Sequence, residues 1–423
     1  MSQDRLKIGI VGGGISGIVS AYILSRKHEI TIFDKNSYLG GHTNTVLINS
    51  GPDAGTKIDT GFIVLNDKTY PTFHAFLEKL SVPWRYSDMS FGFYSELSNL
   101  QYAGTNLNGM FADRKNIFSP SFLRFILEIK RFADESLKAL EFNRLHRKTV
   151  KEFAQELKLS SNFLKWYLLP MAAAIWSSPE IGILDFPAQT LVTFFKNHGL
   201  LSFSDRPKWQ TVVGGSRCYV EAFLKSFNGK VILESAISQI QRKSNKVVIN
   251  CNQNIQHEFD KVIIATHADE AFSLLSDPTK TEKRLLQPWQ YQLNKTILHT
   301  DPQVMPPKKL AWASWNFREE SGFNESQPVS MTYYMNLLQG LKTQEQYFVT
   351  LNSNKSLNSK SIIADFNYMH PIFSMQSVAT QSELNSNGFE DNIGFAGSYF
   401  GYGFHEDAVK SAVRLVKYLD LSL

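Results

Sequence analysis

Three glycines and one acid carry the first chemistry legible in the chain. Gly12, Gly14 and Gly17 make a G-x-G-x-x-G turn inside Leu6 to Asp34, LKIGIVGGGISGIVSAYILSRKHEITIFD. A turn of this spacing binds the pyrophosphate of a dinucleotide. Gly12 allows the tight bend, Gly14 lets the backbone approach the phosphates, and Gly17 removes a Cβ from a helix–sheet contact. The free N–H groups of the helix opening at Ile15 and Ser16 then face the negative charge. Asp34 stands where a carboxylate accepts hydrogen bonds from ribose hydroxyls, and an acid there disfavours a 2′-phosphate. A second group of reactive types, His405-Glu406-Asp407, has metal-ligand chemistry. Neighbours at a helix start point apart, however, and no second cluster accompanies them, so no metal is expected.

The elements needed to hold that turn are present. Ile8, Ile10 and Val11 form a β-branched run that stops at Gly12. Ile15, Val19, Tyr22 and Ile23 follow with helical spacing, and Glu29 to Phe33 reads as the next strand. This is a Rossmann-type strand, helix, strand unit, and it predicts an α/β fold.

A second glycine pair follows in Tyr38-Leu39-Gly40-Gly41-His42-Thr43, and then Asp59-Thr60-Gly61-Phe62. An NAD-binding unit needs no second glycine turn there. From here the sequence resembles the flavin-containing amine oxidase superfamily, whose FAD domain pairs the first fingerprint with an R-x-G-G-R turn and a D-x-G segment. Both arginines are absent, with Tyr38 and His42 in their places. The resemblance implies FAD contacts from Lys35, Gly40, Gly41, His42, Thr43, Thr60, Gly61 and Phe62.

Composition narrows the class. The chain has 423 residues, enough for two or three domains, with 43% hydrophobic and 20% charged residues, as in ordinary globular proteins. Its 31 Phe, 16 Tyr and 7 Trp imply aromatic walls as well as core. The net charge of +5 is diffuse, and no block of Lys and Arg interleaves with stacking aromatics, so nucleic acid is not an expected partner. The charge is compatible with an anionic membrane surface. Cys218 and Cys251 make neither a disulfide framework nor a metal site. No secretory signal and no long uninterrupted apolar stretch is legible. The expected location is the cytoplasm, at most peripheral to the inner face of a membrane.

From Thr69 to Arg206 the pattern turns helical. Tyr70-Pro71 opens one helix carrying Phe73, Phe76, Leu77 and Leu80. Ser119-Pro120 opens a longer one through Phe122, Phe125, Ile126, Ile129, Phe132 and Leu137, with Arg124, Lys130, Arg131 and Lys138 at polar positions. Two readings of this helix stand: a solvated outer face over a core stripe, or an interfacial helix that meets lipid. Gln101 to Asn106 is polar and turn-rich, as a cavity wall would be. Pro170 to Ser178, PMAAAIWSS, reads either as tight helix packing or as the side of a substrate tunnel.

At Trp209 to Ser216 strand and turn return, followed by a short helix at Tyr219 to Lys225, strands around Ile240 and Val247 to Ile249, and the run Asp260 to His267. In the amine oxidase superfamily the matching V-G-G turn lies in the FAD domain, and the matching strand approaches the dinucleotide. The resemblance therefore implies adenine contact at Ile237 and dinucleotide contact at Ala265 and Thr266. Residues 288–351 are dense in aromatics and read as a broad sheet with one face on a ligand. Within it Lys295 matches a lysine that many relatives link through water to the flavin N5, which makes it a catalytic candidate; exposure on an edge strand is the other reading. At the end, F-A-G-S with Gly397 and Ser398 and G-Y-G-F-H-E-D-A with Phe404, His405 and Ala408 resemble the pair that closes the flavin site. Phe404 occupies an aromatic position that amine oxidases fill with a cage tyrosine, so it is the second catalytic candidate.

These matches imply a discontinuous FAD domain in residues 1–68, 207–287 and 391–423, with a helical insertion at 69–206 and a sheet at 288–390 forming an α+β substrate domain. FAD is expected to be held non-covalently, since neither cysteine has a flavin-attachment context. The segments TGFIVLN (Thr60 to Asn66), LDFPAQT (Leu184 to Thr190) and GYGFHEDA (Gly401 to Ala408) resemble bacterial FAD-dependent amine-oxidase-like proteins associated with cyclopropane-fatty-acyl-phospholipid synthase-like enzymes. That resemblance implies an acyl-chain or lipid-like substrate and a fatty-acyl-modifying, methyltransferase-like enzyme in the same pathway. Three functions stay open: oxidation or desaturation at a C–H bond of a lipid-like substrate, oxidation of a polyamine or monoamine, and flavin binding without turnover.

Overall fold

The structure is a computed structural model describing residues 5–177, 179–202, 204, 206–252, 255–322 and 329–423, without the side chain of Ile181. Ser178 of the expected tunnel segment and residues 323–328 of the expected sheet lie outside the described residues.

A five-stranded parallel sheet carries the glycine turn, in the order Lys230–Ile232, Glu29–Phe33, Lys7–Val11, Lys261–Ile264, Ile393–Phe395. Its strands are apolar on both faces because both are covered, the condition under which parallel sheets occur. An antiparallel three-stranded meander, Ile237–Lys243, Lys246–Cys251 and Gln256–Phe259, covers one face. There Phe259 and Ile249 press on Gly9 so closely that a Cβ would stand 2.8 Å from the Phe259 ring. The helices that frame the site are α1 (Ile15–Leu24), α2 (Pro71–Lys79), α3 (Pro120–Glu141), α4 (Leu169–Trp176), α5 (Ala188–Asn197) and α6 (His405–Val416). The paired helices α1 and α6 pack on each other and cover the sheet's other face.

A second sheet of seven strands faces the first domain across a cavity. Its order is Ile362–Ile372, Gln290–His299, Phe348–Leu351, Ser330–Tyr334, Trp315–Glu319, Phe91–Ser95, Gln101–Ala103. All neighbours are antiparallel except Trp315–Glu319 with Phe91–Ser95, which makes the sheet mixed. The last two strands lie within 69–206, the stretch whose pattern reads as helical. They pair there because Gly92 lies flat against the neighbouring strand, where a Cβ would come within 2.9 Å of Asn316 and Ala311.

Helix α3 begins where Ser119 accepts a hydrogen bond from the Phe122 amide, with Pro120 in the first turn. Phe122, Phe125 and Phe132 are buried as expected, whereas Leu137 is exposed and Ile126 and Ile129 are half-buried against the cavity. Among the described residues no helix is long and apolar enough to cross a membrane.

Candidate active site

The cavity has a volume of about 1580 Å³ and runs from the glycine turn to α3. At one end its walls are backbone. Gly12 has φ +101° and donates to Phe33 O at 2.8 Å, while a Cβ on Gly17 would lie 2.0 Å from Gly12 O. The second glycine turn rests on the first, with Gly40 N to Gly13 O at 2.8 Å and the Cβ direction of Gly41 3.3 Å from Gly14 Cα. The third segment rests on the second: Phe62 N donates to His42 O at 2.8 Å, and a Cβ on Gly61 would meet that same oxygen at 2.1 Å. Gly14 is the exception in this packing. A Cβ there meets no protein atom within 4 Å and would project into the cavity.

Asp34 is buried beside this end and accepts from the Gly13 and Asn36 amides, both at 2.8 Å. Its carboxylate thus fixes the turn as well as facing the cavity. Lys35, also lining, pairs with Glu270 at 2.6 Å. Asp59 of the D-T-G segment is fully buried; it accepts from Ser216 N at 2.9 Å and from Thr45 Oγ1 at 2.5 Å, and so ties the third segment to the Val213-Gly214-Gly215-Ser216 turn. Burial raises it to about 6 against the pull of these donors.

Midway along the cavity four histidines gather. His42 lies with ring centroids 5.6 Å from His370 and 5.7 Å from His267. His405 stacks on Phe62 at 3.6 Å, and its Nε2 lies 3.1 Å from Thr43 Oγ1 and 3.3 Å from Tyr219 OH. Burial, and for His42 the neighbouring His370, His267 and His405, pushes all four down, His370 to about 4 and His405 to about 3. They are therefore neutral at pH 7. His42 Nε2 is buried without a protein partner. Such an atom costs free energy unless a ligand meets it.

The far arm is built from side chains. Helix α4 contributes Met171, Ile175 and Trp176 while its Ala172 to Ala174 face the packing, so both readings of that segment describe part of it. Helix α5 supplies Phe194, which stacks on His198 at 3.8 Å and on Phe404 at 5.1 Å. Helix α3 supplies Leu123, Ile126, Leu127 and Ile129, and the strand edge supplies Tyr102, Gly104, Thr105 and Asn106. Of the described aromatics in 288–351, Trp315 and Tyr333 line the cavity. Trp315 Nε1 is buried without a partner. The carboxylates on the cavity wall, Asp34 and Glu270, both belong to the dinucleotide end. The cations are Lys35 at that end and Arg206 in the far arm, where Arg206 partly offsets the burial that raises Tyr167 to about 12.

Most of the residues expected at the cofactor share this cavity: Gly12, Gly14, Ile15, Ser16, Asp34, Lys35, Gly40, Gly41, His42, Gly61, Phe62, Ile237, Ala265, Thr266, Gly397, Ser398, Phe404, His405 and Ala408. Gly17, Thr43 and Thr60 stand behind the wall, Thr43 bonded to Tyr219 and Thr60 to Tyr368 OH at 2.9 Å. Lys295 is a correction. It is exposed and off the cavity, because side chains alternate along Gln290–His299 and Asn294 and Thr296 take the buried face. Ala408 lines the cavity, but its N–H is donated to Phe404 O at 3.1 Å. The unpaired amides of α6 belong to His405, Glu406 and Asp407. The side chains of these three diverge: His405 to Thr43 and Tyr219, Glu406 to the Thr72 and Phe73 amides at the start of α2, and Asp407 to the Tyr402 and Phe404 amides. His370, Phe194, His198 and Arg206 were not legible as site residues, since the strand, the helix α5 with its cap and the loop that carry them are brought to the cavity only by packing.

Residues 15–347 match the family model described as flavin containing amine oxidoreductase. The L-amino-acid oxidase of Mus musculus is 25% identical over 300 residues, which are 66% of this chain and 44% of that protein; the chain thus spans less than half the length of this curated relative. Among solved structures, wild-type putrescine oxidase bound to putrescine superposes with a TM-score of 0.70 at 13% identity, covering 99% of both chains. A fatty acid isomerase from P. acnes that produces CLA gives 0.66 at 14% identity, again over 99% of both. Cyclohexylamine oxidase from Brevibacterium oxydans gives 0.67 at 14%, over 99% of this chain and 100% of that one. The cavity fits FAD, with a glycine whose Cβ direction is open beside a helix start and an unpartnered His42 Nε2 farther along. The chain belongs to the flavin-containing amine oxidoreductase family.

Proposed function

We propose that this oxidoreductase takes hydride from a C–H bond of a long hydrophobic substrate of acyl-chain type, oxidising or desaturating it. The observation that carries this reading is the chemistry of the far arm: aliphatic and aromatic walls, no carboxylate among the described residues, and one cation, Arg206. An ammonium substrate would lose water there and meet no counter-charge, a cost of several kcal/mol per ion. A chain ending in a carboxylate or another anion would lay its methylenes on α3 and α4 and its head at Arg206. The buried Trp315 N–H also asks for an acceptor.

FAD, when bound without a covalent link, supplies the two-electron acceptor and passes the electrons to oxygen or another acceptor. The glycine turns would hold its pyrophosphate, Asp34 its ribose and Ile237 its adenine. The start of α6 would set fixed positive potential near the ring, with no titrating group required. The neutral histidines would present donors and acceptors without adding charge.

Amine oxidation is the second reading. Phe404 and Phe194 form an aromatic wall that suits an uncharged amine, and relatives of this fold include putrescine and cyclohexylamine oxidases. Anaerobic mixing of the yellow protein with oleate and, separately, with putrescine or spermidine decides between the two. Bleaching of the flavin by the fatty acid alone is expected, and Arg206→Gln should raise the half-saturating oleate concentration about tenfold with little change in limiting rate. Bleaching by the amines alone would sink the acyl-chain reading.

A further inference from the structure

We infer that the face around the mouth of the far arm docks on an anionic lipid bilayer, so that an acyl chain passes from the membrane into the cavity without crossing water. The inference rests on the acyl-chain reading above. Its evidence is the distribution of exposed apolar side chains.

Phe118 and Leu107 are the most exposed large hydrophobic residues among those described, at 85% and 79%, and Ile117, Leu123 and Leu127 are exposed beside them in the chain. Leaving this much apolar surface in water within one short segment is unusual for a protein with an ample core. Leu107, Leu123 and Leu127 are exposed and also line the cavity, so the patch continues into the far arm.

The charges around the patch fit an anionic surface. Arg114, Lys115 and Arg124 lie between the same apolar residues, Lys130 and Arg131 follow them on α3, and all five are exposed. The acids in the same stretch are Asp113, held by Lys308 at 3.2 Å, Glu128, which is buried, bonded to Ser160 and paired with Arg124 at 3.5 Å and Arg131 at 3.7 Å, and Asp134, paired with Lys130 at 3.2 Å, so five basic residues against three acids leave the face net positive. Apolar side chains beside Arg and Lys on one face of an amphipathic helix are the composition of an interfacial element. A helix of this kind lies on the bilayer, in keeping with the lack of a membrane-crossing helix among the described residues.

Cosedimentation of the FAD-loaded protein with sucrose-loaded vesicles tests this directly. Vesicles of phosphatidylcholine with a third phosphatidylglycerol should bind the protein, pure phosphatidylcholine should bind it far less, and binding should fall with added salt. The double variant Ile117→Ser, Phe118→Ser changes exposed side chains off the cavity. It should keep its FAD and bind the anionic vesicles at least about tenfold more weakly. Absence of binding, equal binding to both vesicle types, or an unaffected double variant would overturn the proposal. So would a concentration-dependent dimer abolished by the same variant, which would make the face an interface between copies of this chain. No substrate enters the assay, so failure here leaves the acyl-chain reading standing. Vesicle binding without flavin bleaching by oleate would remove that reading alone.

Discussion

The two ends of the cavity are built from different material. At the dinucleotide end the wall is main chain, three glycine-bearing segments stacked so that Gly17 and Gly61 leave no room for a Cβ while Gly14 leaves its own direction open to the cavity. In the far arm the wall is side chains drawn from α3, α4, α5 and the edge of the mixed sheet. A backbone wall is tied to sequence spacing and tolerates almost no substitution. A side-chain wall can be rebuilt by changes in separate elements while the fold stays the same. This contrast explains how one fold serves amine oxidases and a fatty acid isomerase.

The largest effects should come from breaking the backbone wall in two ways. Gly17→Val sets a Cβ against Gly12 O, an atom of a tight turn that cannot yield, so this variant should fail to accumulate as folded protein. Gly14→Val meets no protein atom and should fold with the same circular dichroism spectrum as unmodified apoprotein, yet be isolated without FAD. Recovery of Gly14→Val with full flavin content would show that the open direction is not where the cofactor lies.

Acidification probes the buried histidines. His198, His299 and His370 sit near 4 and His405 near 3, all depressed by burial from 6.5. The unfolded chain therefore binds protons that the folded chain does not between about pH 6.5 and 4, and stability falls as pH drops through that window. Each histidine contributes on the order of 1 kcal/mol per pH unit there. Asp59 and Asp407, raised to about 6 from 3.8 by burial, act in the opposite sense and gain stability on protonation. Four groups against two give a net loss, and calorimetry at pH 7.5 and 5.5 should find a lower Tm at 5.5. A higher Tm at 5.5 would mean the histidines are not buried neutral.

A milder break removes the Asp34 carboxylate. Asp34→Ala leaves the Gly13 and Asn36 amides without their acceptor and should weaken FAD binding by about 1.5 to 3 kcal/mol, read by titration of apoprotein. Turnover at saturating FAD should change little, because the loss falls at the dinucleotide end. The smallest effect belongs to Lys295→Ala. With its side chain in solvent and off the cavity, the flavin reduction potential and the rate of reduction by substrate should both stay at their unmodified values; a shift in potential would restore the lysine to the flavin.

The chain's order of residues alone determined the dinucleotide end: the strand, the glycine spacing, Asp34 and the Gly40-Gly41 and Gly61 turns are local patterns, and a main-chain cradle is specified by where glycine is required. Sequence also located the amphipathic α3 and the cavity wall near Tyr102 and Asn106. It could not place Lys295, because a period-two strand puts a residue on one face or the other according to a register fixed only by pairing with Phe348–Leu351 and Ile362–Ile372. Nor could it count the amides of α6, since the helix start depends on Asp407 holding the Tyr402 and Phe404 amides. Only the tertiary structure brought His42, His267, His370 and His405 together, left Arg206 as the far arm's cation and set Leu107 and Leu127 at its mouth. Those residues lie on elements distant in sequence, and contact between such elements is decided by packing.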